Sequence, residues 1–497
     1  MTERRAHRRP RCCRISPYPA SPSSYRRCRK GAHAVPYHAR FMEARLTEGP
    51  VGRHLWELMV PMMIGLLAMI SFGLVDAWFV SRLGPLPLAA VSFTQPVGFV
   101  VAAVAMGIGV GASSVIARLL GQGNRRRVRR IATHAFMLSG MLGLVLLAAG
   151  WVFMEDIFGL MGADETTMPL VRDYMEIYLV GLVFVIGPAI GGSILRALGD
   201  AKSPGVLLAL TALVNAVLDP ILIFGLFGFP RMEVQGAALA TVIANLLSLA
   251  AMLVIGIRRD KFLTLRGMKL ILDSWKRILH VGLSATASGL MAPLTSAFVV
   301  AMVARFGQTA VAGFGVGIRT EAMALLPFMA LGAAIGPFVG QNAGAERMDR
   351  VREAHNWCLR FTSIYGLSVA ALLSIFAVPI VGLFTHDEGA MRAAVTQLRI
   401  LPWTYCLLGV TIVANTSLNA LGKPLAAMMV SLCRTLLVYV PLSWLLGLWF
   451  GLIGVFFGGA LGNLVSAAVG FLLLRRGLRQ VELTGALPDM DRGKAVA

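Results

Sequence analysis

Two aspartates lie inside long apolar stretches of the chain. Asp76 interrupts the apolar run GLVDAWFV, and Asp219 follows Asn215 in NAVLDP. Thr241, in the next apolar stretch, adds a hydroxyl group. A carboxylate at membrane depth is costly to bury, so such acids face water or a partner and mark functional positions by default. Together these residues offer two carboxylates, an amide and a hydroxyl to one oxygen-rich site.

The placement of these residues along their apolar stretches predicts that they share one layer of the membrane. Taking the helical rise of about 1.5 Å per residue, Asp76 lies about 8 Å, Asp219 about 14 Å and Thr241 about 10 Å from the same membrane face. Asn215 comes one helical turn deeper than Asp219 on the same helix face. We therefore expect three helices to contribute to a single cluster.

Such a cluster predicts a site for a small cation. Two nearby carboxylates in a medium of low dielectric constant cannot both stay ionised at low cost, so we expect one of them to hold a proton. The same hard oxygen ligands would equally suit a metal ion, Na⁺, at this site. Either ion would neutralise the site and favour one packing of the helices. The alternative is that these polar groups only hold the helices together by hydrogen bonds.

A second charged cluster is predicted in the other half of the chain. Glu321 lies near the middle of its apolar stretch, with Arg319 two residues away on a different helix face. Arg434 falls at a similar depth in a later stretch. Since isolated charges at this depth need partners, we predict a Glu321–Arg434 ion pair, and favour a structural tie over a second ion site.

The composition is that of a polytopic membrane protein. Of 497 residues, 57% are hydrophobic and only 14% are charged. A helix needs roughly 20 apolar residues to cross a bilayer. Inside the bilayer its backbone N–H and C=O groups must form hydrogen bonds within the same segment. We therefore predict an all-α polytopic membrane protein with twelve transmembrane helices, near residues 55–80, 88–119, 131–153, 170–196, 204–228, 234–257, 276–304, 310–340, 358–384, 394–421, 424–448 and 452–474.

The two halves of the chain repeat. RLGPLPLAAV at 82–91 aligns with RFGQTAVAGF at 305–314, and FGLMGADE at 158–165 aligns with VGLFTHDE at 381–388. Six helices per repeat bring both halves into the membrane the same way up, so we predict two six-helix bundles related by a pseudo-twofold axis along the membrane normal. The predicted units are an N-terminal lobe, a linker, a C-terminal lobe and a tail, at 42–257, 258–277, 278–478 and 479–497.

Basic residues are distributed unevenly between the loops. Loops on the face that carries the chain termini hold 24 Lys and Arg after residue 119, whereas the opposite loops hold five, Arg82, Arg172, Arg231, Arg305 and Arg392. The positive-inside rule then predicts that both termini are cytoplasmic, in a cell inner membrane. The net charge of +21 therefore does not indicate nucleic acid. Residues 1–41, a basic extension predicted to be disordered, are interpreted as a wrongly assigned start before Met42.

One proline precedes the first acid on the same predicted helix. Pro61 lies fifteen residues before Asp76. Because proline removes a main-chain hydrogen bond and bends a helix, Pro61 is a candidate conformational residue, with a static bend as the alternative.

Several motifs together resemble the multidrug and toxic compound extrusion (MATE) family. They are PMMIGLLAMISFGLVDAWFVSRLGPLPLAA, LGQGN, RALGDAKSPGVLLALTALVNAVLDPILIFG, GAALAT and VGQNAGA, and the resemblance covers about residues 50 to 478. The chain looks more like the DinF-type branch, since Pro61, Asp76, Asn215 and Asp219 are present and the predicted seventh span holds no acid.

The resemblance implies an antiporter that exports organic cationic or amphipathic compounds in exchange for H⁺ or Na⁺. It assigns the cation site to Asp76, Asn215, Asp219 and Thr241, and links protonation of Asp76 to bending at Pro61. We expect a monomer that contacts small-molecule substrates and the bilayer, and that needs no cofactor besides the coupling ion.

Two other functions compete with this interpretation. A flippase for lipid-linked saccharides would have a cationic cavity, which the acids of the first half disfavour and the second charged cluster leaves open. A membrane enzyme would need catalytic groups at an interface, but the histidines after residue 41 are scattered without metal-ligand spacing. The chain is therefore not predicted to be an enzyme.

Overall fold

The structure is a computed structural model that describes residues 43–264 and 268–484. The predicted extension, residues 1–41, and the end of the predicted tail lie outside the described residues. In the described part the chain is almost entirely helical.

Fourteen α-helices, α1 to α14, are found in the described residues, joined by short turns. In chain order they are Val51–Ser81, Pro85–Gly121, Arg125–Leu160, Met168–Ala197, Lys202–Phe224, Glu233–Val254, Ile271–Ala304, Gln308–Gly344, Met348–Ile375, Ala377–Gly382, Glu388–Ile400, Tyr405–Ala420, Pro424–Leu432 and Val440–Thr484. Two π-helical segments, Ile255–Arg259 and Cys433–Tyr439, follow α6 and α13.

These helices confirm the predicted membrane protein. Eleven helical stretches of the described residues are long and apolar enough to cross a bilayer. The last of them, Pro424–Leu483, is 60 residues long and changes direction at Gly451, whose φ of 62° and ψ of −143° are not helical. A span needs about 20 residues, so this stretch supplies two and the total is the predicted twelve.

The internal repeat extends to the backbone of the turns. Gly84, before α2, and Gly307, before α8, have φ values of 117° and 101°. Gly199, before α5, and Gly422, before α13, have φ values of 88° and 73°. Glycine reaches such positive φ values without the steric cost that other residues incur. The same turn is therefore built at equivalent places in both halves.

Polar contacts between the halves lie at the helix ends that carry the basic loops. We call these the basic ends and the opposite ends the acidic ends; the basic loops are at 121–125, 197–202, 344–348 and 420–424. Gln341 accepts a hydrogen bond from Leu46 N at 3.2 Å and donates one to Ala197 O at 2.8 Å. Arg118 Nη1 donates to Ala420 O at 2.8 Å.

Apolar side chains also pack across the two halves at the basic ends. Leu55 and Met59 of α1 are fully buried, in a cluster with Val339 of α8 and Val351 of α9. The α2 and α8 backbones also approach closely, since a Cβ at Gly121 would lie 2.1 Å from Gln341 O. The two halves are therefore interlocked at the basic ends.

Candidate cation site

Asp76 and Asp219 occupy the same depth near the acidic ends. Each lies five residues before the last residue of its helix, α1 and α5 respectively, which is about 8 Å. The predicted depth of about 14 Å for Asp219 was wrong. Helix α5 ends at Phe224, because Gly225 takes the left-handed conformation with φ of 72°.

The two carboxyl groups lie within hydrogen-bonding distance of each other. Asp219 is fully buried. Ionised carboxylates only accept hydrogen bonds, so a contact between two of them needs a shared proton or a cation. The structure therefore brings the two acids together as the sequence predicts.

Asn215 and Thr241 complete the same cluster. Asn215 Nδ2 donates to Thr241 Oγ1 at 3.2 Å, which links α5 to α6. This bond uses the amide nitrogen and leaves the amide oxygen for another partner. All four predicted residues thus lie together, on helices α1, α5 and α6.

The buried oxygens of the cluster lack donors. Among the described residues, no hydrogen-bond donor reaches Asp219 Oδ1, Asp219 Oδ2 or Asn215 Oδ1. Leaving buried acceptors unpaired is costly, so these oxygens favour a proton, a water molecule or a cation beside them. A proton on a carboxyl group, or a Na⁺ ion held by oxygen ligands, would satisfy them.

Tyr174 of α4 is a residue near the site that sequence reasoning missed. It lies close enough to Asp76 and Asp219 for electrostatic interaction with both. Its ring stacks on Tyr178 with centroids 5.9 Å apart. The Tyr-x-x-x-Tyr spacing was the available signal, because residues four apart share a helix face.

Pro61 lies at the crossing of α1 and α5. Helix α1 is continuous through the proline. A Cβ at Gly205 of α5 would lie 2.4 Å from Pro61 O, and one at Gly65 would lie 2.8 Å from Gly205 O. Small residues therefore let the two backbones touch beside the proline.

The second charged cluster differs from the prediction. Within the described residues Arg434 does not form an ion pair with Glu321, although the two remain close enough to interact electrostatically. Arg434 Nε instead donates to Asn463 Oδ1 at 3.1 Å. Arg434 lies in the π-helical segment Cys433–Tyr439, whose wider turns change the direction of side chains relative to an α-helix. Arg319 is exposed on α8.

The family model MatE matches the chain twice, at residues 61–221 and 285–445, which together are more than half of it. The chain belongs to the MATE family. Because the same model matches each half, the predicted repeat is confirmed. This MATE protein is therefore a multi-pass membrane transporter rather than an enzyme.

Known transport and resistance proteins resemble it over most of their length. A protein of Shewanella oneidensis named FAD transporter is 34% identical over 89% of this chain and 98% of its own. The probable multidrug resistance protein YoeA of Bacillus subtilis is 28% identical, covering 81% of this chain and 90% of its own. The crystal structure of the Vibrio cholerae MATE transporter VcmN in the bent form matches with a TM-score of 0.83, 28% identity, and coverage of 90% of this chain and 99% of its own.

Proposed function

We propose that this MATE protein is an antiporter in which H⁺ or Na⁺, bound between Asp76 and Asp219, drives export of a small molecule. The observation that carries this proposal is the adjacent acid pair, whose fully buried member has no donor within the described residues. A cation neutralises the pair and stabilises the packing in which α1 and α5 stay together. Its release leaves two like charges that repel and favour another packing.

The proposed orientation in the membrane follows from the charges of the loops. The basic ends hold most loop Lys and Arg, so the positive-inside rule places them and both termini in the cytoplasm. The lobes 42–257 and 278–478 rock about a central pathway in this proposal, and a monomer suffices. Pro61 provides the flexible point of α1 in the lobe that carries the cation site.

The favoured cargo is a flavin dinucleotide or a similar anionic aromatic compound. Arg319 lies eleven residues after the start of α8, about 17 Å from the acidic ends, and its side chain is exposed. An exposed charge at that depth faces a water-filled pathway rather than lipid. A guanidinium group recognises phosphate with paired hydrogen bonds. The relative named FAD transporter has a cargo of this kind in its name.

A cationic or amphipathic organic compound is the second candidate cargo. Asp76 is partly exposed near the acidic ends, where a cationic compound and the coupling ion would compete for the same carboxylates. The relative YoeA is named as a probable multidrug resistance protein. An acid pair serving both ions is compatible with such exchange.

A gradient assay in proteoliposomes tests the coupling and the cargo together. Vesicles are loaded with either FAD or a cationic dye, and transport is followed after imposing an H⁺ or a Na⁺ gradient. Asp76→Asn and Asp219→Asn are each expected to reduce gradient-driven transport to background. Asp156→Asn, which changes an exposed acid of α3, is expected to leave it unchanged. Full transport by either site variant would show that the acid pair is only structural.

A second pair of variants separates the two cargo classes. Arg319→Gln is expected to lower FAD transport by about tenfold or more, because the diphosphate loses a charged partner. Arg305→Gln, at an exposed position of the turn before α8, is the matched control. Transport of the dye but not of FAD by the unaltered protein, with dye transport unchanged in Arg319→Gln, would identify the cationic compound as the cargo instead.

A further inference from the structure

A cavity of about 880 Å³ opens between α9 and α14 at the basic ends. One part of its wall is apolar, with Leu359, Phe471 and Leu472, and another part is cationic, with Arg475, Arg476 and Arg479. It lies within the second half of the chain, apart from the candidate cation site. Its chemistry is that of an amphipathic ligand.

The three arginines are not neutralised by the protein. They are exposed, and no hydrogen bond or ion pair joins them to other described residues. Glu482 lines the same cavity. It forms an ion pair with Arg352 of α9, whose Nη2 lies 2.5 Å from Glu482 Oε2. The cavity therefore keeps the positive charges of Arg475, Arg476 and Arg479.

Helix geometry concentrates this charge on one face of α14. Arg475 and Arg479 are four residues apart and Arg476 and Arg479 are three apart, so their side chains are neighbours on the helix surface. Like charges at these spacings destabilise a helix. An anion between them would relieve the repulsion and accept several charge-assisted hydrogen bonds.

The position of the cavity matches the boundary between lipid headgroups and acyl chains. Arg352 lies four residues into α9, about 6 Å from the start of that helix. Phe471 and Leu472, one to two turns before the arginines, are 39% and 54% exposed. An inorganic phosphate would use the arginines and leave this apolar wall uncovered, whereas a phospholipid would cover both.

We propose that this cavity binds an anionic phospholipid of the leaflet at the basic ends. The lipid phosphate lies among Arg475, Arg476 and Arg479, and an acyl chain packs along Leu359 and Phe471. Basic pockets between helices at the membrane surface recognise anionic headgroups in this way. Because the ligand contacts α9 and α14 together, it strengthens the link that the Arg352–Glu482 ion pair already makes.

Native mass spectrometry of the purified full chain in detergent tests the proposal. The protein is titrated with phosphatidylglycerol, with phosphatidylcholine, or with inorganic phosphate. We expect phosphatidylglycerol to bind at least about tenfold more tightly than phosphatidylcholine, because three nearby arginines attract its anionic headgroup. The triple variant Arg475→Gln/Arg476→Gln/Arg479→Gln is expected to lose that preference. The matched control, Arg126→Gln/Arg127→Gln/Arg258→Gln, removes three exposed arginines outside the cavity and is expected to keep it.

Three results would overturn the proposal. One is equal binding of the two lipids by the unaltered protein, a measurement that does not depend on whether any variant folds. Another is equal loss of preference in the control triple variant, which would indicate general surface charge. The third is displacement of the lipid by inorganic phosphate at a lower concentration than the lipid itself, which would identify a free-phosphate site.

Discussion

At the scale of single residues, the cation site depends on which oxygens have donors. The Asn215 amide nitrogen donates to Thr241 Oγ1 at 3.2 Å, and no donor among the described residues reaches the amide oxygen. We propose that Thr241 acts on the cation site through this bond, as a positioning residue for Asn215.

Replacing Thr241 tests that role. Thr241→Val removes the acceptor for Asn215 Nδ2, which we expect to lower gradient-driven transport by about tenfold, the cost of one lost hydrogen bond in a buried site. Thr241→Ser keeps the hydroxyl and is expected to restore most of the rate. Initial rates in proteoliposomes at several H⁺ or Na⁺ concentrations check this, and equal rates in the two variants would contradict it.

A titrating acid outside the membrane gives a pH-dependent prediction. In the turn before α4, hydrogen bonds from Thr166 and Thr167 lower the pKa of Asp164 from 3.8 to about 2. A lowered pKa in the folded state contributes stability above pH 3.8 that is lost as the pH falls toward about 2. The unfolding temperature of Asp164→Asn should therefore fall below that of the unaltered protein at pH 6, and the difference should shrink toward pH 2 and vanish below it. Glu165→Gln, at the next exposed residue, should show no such difference.

At the scale of helices, the crossing of α1 and α5 is set by glycine. A methyl group at Gly205 would lie 2.4 Å from the Pro61 carbonyl oxygen, so neither backbone has room for it. On the same α1, Gly73 has no neighbour within 4 Å of its would-be Cβ. The chain thus supplies a matched pair of positions, one at the crossing and one away from it.

Alanine at these two glycines is expected to have opposite effects. Gly205→Ala should destabilise the protein by about 1–3 kcal/mol through overpacking. Gly73→Ala should be neutral or stabilise it by up to about 1 kcal/mol, because alanine favours the helix. Thermal unfolding in detergent, with tryptophan fluorescence as the signal, measures both. A stability of Gly205→Ala equal to that of Gly73→Ala would mean that the helices separate easily at the crossing.

At the scale of the whole molecule, the two halves are held together at the basic ends. Helices α2 and α8 meet there reciprocally: a Cβ at Gly344 would lie 2.2 Å from Arg118 O, and one at Gly121 would lie 2.1 Å from Gln341 O. Transport by alternating access requires these contacts to separate in the other state.

Crowding this contact should shift the conformational equilibrium. Gly121→Ala is expected to disfavour the interlocked state by about 1–3 kcal/mol, or about 5- to 150-fold in population. Spin labels at Arg126 and Arg347, two exposed positions in opposite halves, should then report longer distances by pulsed electron paramagnetic resonance. Gly140→Ala, where nothing lies within 4 Å, is the control. An unchanged distance distribution in Gly121→Ala would contradict this view of the interlock.

The sequence predicted those features that depend on local patterns. Apolar length located the spans, the repeat implied two related halves, and acids in apolar runs identified Asp76 and Asp219. The Glu321–Arg434 ion pair was wrong because the π-helical segment Cys433–Tyr439 changes the direction of Arg434, and no pattern of apolar residues reveals such a segment. Tyr174 was missed because a tyrosine in an apolar helix is normally a packing residue, and its proximity to the acids depends on how α4 packs.

The close contact between Pro61 and Gly205 is a point about which α1 could tilt as a rigid helix. The acid is fifteen residues from the fulcrum, an arm of about 22 Å, whereas the interlocked start of α1 lies on the other side. A tilt of only about 10° at the fulcrum would displace the carboxyl group of Asp76 by about 4 Å, more than the reach of a hydrogen bond. In the proposed mechanism, the gain or loss of one small ion at Asp76 would therefore also move the start of α1, at the opposite membrane face, in the opposite direction.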